Sequence, residues 1–121
     1  MDFETLYAIL VGVARRGDQI TYTDLSHAYH RATREWREPH GGWDDALGEL
    51  NQRLSAAGYQ ALSAVVVLKE TRQPGGRFWE SSPNVPRRPS NNDARVEAYS
   101  RILSTVHQAD WPDAFPPTPV T

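Results

Sequence analysis

Cysteine is absent from the sequence. Its absence removes disulfides, thiolate nucleophiles and zinc–thiolate sites together, and it fits a reducing compartment. Long apolar runs are missing too: none approaches the roughly 20 residues that span a bilayer. Neither sign of charge dominates, because 13 Lys and Arg against 15 Asp and Glu leave a net charge of −2. Such a balance gives no global attraction to nucleic acid or anionic lipid. Any nucleic-acid contact must then come from a local patch. The opening MDFETLYAILVGVARRG carries acids first and arginines last, the reverse of a secretory signal. The chain therefore reads as cytoplasmic, with no membrane partner.

What is present suits one globular domain. The chain has 121 residues, 39% of them hydrophobic and 23% charged, enough to bury one modest core. No internal repeat is visible. Residues 1–108 read as the domain and 109–121 as a tail, where DWPDAFPPTPVT carries four prolines after Asp110. That composition predicts an extended or disordered segment.

Phe3, Leu6, Leu10 and Val13 recur at helical spacing, with acids at the start, Arg15 and Arg16 at the end and Gly17 as the stop. Gln19–Tyr22 can be a short extended piece. Thr21 with Asp24 resembles a capping box and starts a second helix near Tyr22, running to about Trp36. Trp43, Leu47, Leu50, Leu54 and Ala57 define a third helix over Trp43–Ala57. Gly48 inside it suggests a close backbone approach. The apolar run in Leu62–Glu70 reads as a strand covered on both faces. After a turn over Thr71–Gly76, Arg77–Ser81 reads as its hairpin partner. Ser90 with Asp93 resembles another cap, ahead of a last helix carrying Val96, Tyr99, Leu103 and Val106. Two helices followed by a hairpin predict an α+β winged helix-turn-helix with a two-stranded wing and a closing C-terminal helix.

Thr21-Tyr22 with Leu25, Ala46-Leu47-Gly48, Ser63-Ala64-Val65-Val66-Val67, and Gly75-Gly76 with Phe78 or Trp79 occur in an order with a precedent. Over residues 18–107 the chain resembles the DNA-binding domain of the O6-alkylguanine-DNA alkyltransferases and alkyltransferase-like proteins. The resemblance implies that Tyr22 meets a DNA phosphate and that PGG is the tip of a wing. It also implies a missing chemistry. Ser63 stands at the reactive-cysteine position, Ala64 and Val65 replace the motif's His and Arg, and Asp45 falls near the arginine that the family inserts into the duplex. A scaffold without alkyl transfer is the expectation, so no catalytic residue is assigned.

The candidate nucleic-acid contacts are Tyr22, Arg34, Arg72, Arg77, Arg87 and Arg88. Arg72 and Arg77 flank the wing tip, and Arg87 and Arg88 follow it. Arg31, Arg34 and Arg37 at spacing three suggest a basic stripe on the second helix, partly offset by Glu35 and Glu38. The third helix instead presents Asp44, Asp45, Glu49 and Gln52, with Arg53 the one cation. Carboxylates repel phosphates, so that face suits solvent or a basic protein surface. Asp24, His27 and His30 share a face, but helical zinc pairs use i and i+4 and no further ligand is marked; no metal or cofactor is assigned. Trp43 and Trp79 are core candidates, and Trp111 can staple the tail to the body or anchor a partner. Two partner classes therefore stand: duplex DNA at the wing, or a protein held by the acidic third helix and the aromatic tail.

Overall fold

The computed structural model describes residues 1–116. Among them lie helices α1 (Phe3–Arg15), α2 (Tyr22–Thr33), α3 (Asp44–Ala56) and α4 (Asn92–Gln108), and strands β1 (Ile20–Thr21) and β2 (Val66–Val67). The strands pair in parallel, Ile20 with Val66 and Thr21 with Val67. The protein is a mixed α+β domain with a very small sheet.

Local chemistry sets the helix ends. The Asp2 carboxylate accepts from the Thr5 N–H at 3.0 Å and the Thr5 hydroxyl at 2.7 Å. These bonds hold its carboxyl below the usual carboxylate range. Gly17, at φ +67°, closes α1, with the Asp18 N–H returning to the Val13 carbonyl. Thr21 caps α2 through the Asp24 N–H at 3.1 Å, as its spacing predicts. The cap of α4 is Asn91, bonded to the Ala94 N–H at 2.8 Å, and not Ser90.

α2 stops at Thr33, short of Trp36. The Thr33 hydroxyl donates to the Tyr29 carbonyl at 2.8 Å and accepts the Glu35 N–H at 3.1 Å, which captures backbone groups the next turn would use. Arg34 takes φ +67°, a left-handed cap. The expected Arg31–Arg34–Arg37 stripe therefore does not form on one helix. Arg37 turns inward, donating to the Gly42 carbonyl from Nε at 3.2 Å and Nη2 at 2.9 Å, with its guanidinium 5.3 Å from the Trp43 ring centre.

The expected hairpin is absent. Leu62–Val65 winds into a 3-10 turn, only Val66–Val67 is strand, and the partner is β1. Leu68–Gln73 closes on itself, the Leu68 N–H donating to Gln73 and the Arg72 N–H to Leu68. Pro74 has no N–H to offer a ladder, and Gly76–Phe78 is a second 3-10 turn. Residues 77–81 thus form a compact loop, not a strand. Gly48 needs no close approach either, since a Cβ there would meet nothing within 4 Å.

The core gathers apolar residues of each helix around residues 62–67, although Val96, expected on the stripe of the last helix, is exposed and only Tyr99 and Val106 of that stripe are buried. Leu6, Leu10, Leu25, Tyr29, Leu50, Leu54, Leu62, Val65 and Val66 are wholly buried. Trp43 is buried as expected, its indole N–H donating to the Ser26 hydroxyl at 2.9 Å. Phe78 and Trp79 close the core from the loop.

Residues 109–116 pack against α1. Trp111 is buried and donates from its indole N–H to the Val106 carbonyl at 2.9 Å. The Tyr7 hydroxyl donates to the Pro112 carbonyl at 2.6 Å, and Arg15 Nη2 to the Trp111 carbonyl at 2.7 Å. Phe115 stacks on Phe3, with ring centres 6.2 Å apart. Of the two roles open to Trp111, the staple is the one observed; residues 117–121 of the tail lie outside the described residues.

Candidate functional site

The residues that carry the alkyltransferase resemblance converge. Tyr22, Leu47, Gly48, Ser63, Phe78 and Ser81 line one small cavity under α3. Its free volume is about 10 Å³, at the lower limit for a single water. Tyr22 begins α2, and its hydroxyl oxygen accepts the Gly75 N–H at 3.0 Å. Burial pushes its phenol above the ordinary tyrosine range. Gly75 fits because a Cβ there would stand 3.0 Å from that hydroxyl. Tyr22 thus pins the PGG turn to α2.

Ser63 is buried, and Asn51 holds it. Asn51 Nδ2 donates to Ser63 Oγ at 2.7 Å and to Ser81 Oγ at 3.0 Å, while its Oδ1 accepts the Ser63 N–H at 3.2 Å. No imidazole, amine or carboxylate hydrogen-bonds to Ser63 among the described residues. Asn51 was missed in the sequence. The signal was a polar residue on the core stripe, four after Leu47 and three before Leu54. Incubating the protein with a duplex bearing O6-alkylguanine should leave its mass unchanged; an alkyl adduct on Ser63 would overturn this expectation.

Above the cavity runs an open groove of about 540 Å³ between α3 and residues 76–81. Asp44, Asp45, Glu49 and Glu80 border it, against the single guanidinium of Arg77. Two of these carboxylates have surface partners: Glu49 meets Arg53, and Glu80 meets Arg87, each at 3.4 Å. Exposed pairs of this kind contribute little. Asp44 and Asp45 have no ion pair among the described residues and occupy the first turn of α3, where they also favour the helix dipole.

The other candidate arginines are dispersed. Arg34 caps α2. Arg72 donates from Nε to the Gln19 side chain at 3.2 Å. Arg88 borders a cleft with Arg95, Trp79 and Leu68, and no carboxylate lines it. Arg77 and Arg88 are exposed and make no ion pair among the described residues. The His27 and His30 rings pack against Trp36, 5.3 and 6.2 Å between ring centres. Among the described residues no group of three or more His, Asp or Glu is arranged to hold a metal, and no helix is long and apolar enough to cross a membrane.

Comparison with protein-family models, with curated proteins and with solved structures gives no match for this chain.

Proposed function

We propose that this protein is a non-catalytic binding module whose α3 groove takes a cationic segment of a protein partner. Tyr22, Gly48, Ser63 and Phe78 meet at one cavity beneath that groove. The observation that carries the function is the groove itself. A DNA reader offers cations where α3 meets the wing, and this groove has four carboxylates around one guanidinium. Lysine and arginine side chains complement that lining.

A second reading keeps duplex DNA as the ligand, through the exposed and unpaired Arg77 and Arg88. One experiment separates the two. The amide spectrum is titrated with a short Lys/Arg-rich peptide and, in parallel, with a short duplex. The peptide should move resonances of Asp44–Gln52 and Gly76–Ser81, and the double substitution D45K/E49K should weaken it by about tenfold or more, the size of one or two lost charged contacts. Peptide shifts scattered over the surface, or unchanged in the charge-reversed protein, would sink the adaptor reading. Duplex binding whose salt slope falls by about two in R77A/R88A would put DNA in its place.

A further inference from the structure

A second groove, about 570 Å³ in volume, lies between α1 and α2. Ala8, Gly12 and Ala28 line it together with three arginines, Arg16, Arg31 and Arg72. We infer that this groove is a binding site for a phosphoryl-bearing ligand of about mononucleotide size, gripped by Arg16, Arg31 and Arg72. Three features support this inference.

The first is placement. The three arginines come from three segments, the end of α1, the last turn of α2 and the Leu68–Gln73 loop, yet border one concavity. Arg16 lies along α1, because a Cβ on Gly12 would stand 3.5 Å from its Nη1. Arg16 and Arg31 also complement the dipoles of their helices, but that role does not require them to line one groove.

The second is orientation. Arg72 is held by a chain of hydrogen bonds that begins in the core. The Tyr99 hydroxyl donates to the buried Ala64 carbonyl at 2.7 Å and accepts Gln19 Nε2 at 2.9 Å. Gln19 Nε2 also reaches the Arg72 carbonyl at 3.1 Å, and its Oε1 accepts Arg72 Nε at 3.2 Å. The backbone of Arg72 takes φ +56°, which an arginine seldom adopts. With Nε fixed, the two terminal nitrogens remain for the bidentate contact that suits a phosphoryl group.

The third is charge. Asp18 and Asp24 border the groove too, but no ion pair joins them to the three arginines among the described residues. The Asp18 carboxylate accepts the Gln19 N–H at 2.8 Å and so serves its own turn. Three guanidiniums against two carboxylates leave a positive site, and the volume is in the range of small-ligand pockets.

Calorimetric titration with inorganic pyrophosphate tests this, with ADP and a short DNA duplex as further arms. Saturable one-site binding of pyrophosphate is expected at low salt. R72N, whose asparagine tolerates a positive φ, should weaken it by about tenfold or more, and R16A/R31A should remove it. D45K/E49K, at the other groove, should leave it unchanged, so failure here is distinct from failure of the adaptor reading. Tighter ADP binding identifies a free nucleotide-like ligand. Tighter duplex binding, lost in the same variants, makes a nucleic-acid backbone the source of the phosphate. Absence of saturable pyrophosphate binding, or binding unaltered in folded R72N and R16A/R31A, overturns the assignment.

Discussion

Replacing Trp111 with alanine should destabilise the protein by roughly 3–5 kcal/mol, the usual cost of emptying a buried tryptophan site. The indole is 4% exposed. It stacks on Tyr59 at 6.0 Å and meets the edge of Tyr7 at 6.4 Å, so its loss also uncovers two aromatic neighbours. The Val106 carbonyl loses its indole donor, and Tyr7 and Arg15 lose the backbone geometry on which their bonds to Pro112 and Trp111 depend. Against the roughly 5–15 kcal/mol that hold ordinary domains folded, this is a large fraction. Urea unfolding followed by circular dichroism measures it directly. The midpoint should fall with little change in slope. A loss below about 1 kcal/mol would show that residues 109–116 rest on α1 without contributing to the core.

The second large effect concerns alkaline pH. Burial pushes the phenols of Tyr7 and Tyr99 up to about 12 each. Both hydroxyls donate to backbone carbonyls, Tyr7 to Pro112 and Tyr99 to Ala64. Deprotonation would place a phenolate against a carbonyl oxygen in each case. In the unfolded chain both titrate near the ordinary value of about 10. Between about pH 10 and pH 12 the unfolded state therefore binds fewer protons than the folded one, and stability falls as pH rises. Below pH 10 these two groups contribute no slope. Together they should remove a few kcal/mol across that window. Denaturant unfolding at pH 9, 10, 11 and 12 checks the sign, and Y99F should remove part of the slope. A flat profile between pH 10 and 12 would show that the two phenols ionise as easily folded as unfolded.

The helices were legible because each announces itself locally. Asp2, Thr21 and Gly17 mark ends by side-chain and backbone chemistry that acts within a few residues. The stripes of α1, α3 and α4 repeat at the helical period. The end of α2 was missed because Thr33 and Glu35 terminate it through bonds to Tyr29, which no periodicity encodes. The segment from Leu62 failed for a different reason. A short apolar run buried on every side carries no periodicity, so strand and 3-10 turn look alike. Its partner, Ile20–Thr21, is 46 residues away and parallel, whereas two strand-like runs on either side of PGG point to the nearest neighbour. At the acidic groove the charges were readable from α3 alone; that Glu80 and Arg77 complete it was not. The arginine groove was hidden more deeply: Arg31 read as part of a second-helix stripe and Arg72 as a wing-tip residue, and nothing in the sequence sets them beside Arg16 at one groove.

The bond from Tyr7 to Pro112 spans 105 residues. At ribosomal rates of about 5–20 residues per second, on the order of 5–20 s separate the synthesis of its two partners. Throughout that interval this side of α1 lacks Trp111, Pro112 and Phe115, and Phe3 can meet only earlier neighbours such as the Arg53 guanidinium, 4.5 Å from its ring centre in the folded protein. α1 is therefore made well before the segment that completes the cover of this side. The nascent chain carries part of this aromatic face uncovered until residues 111–115 are made.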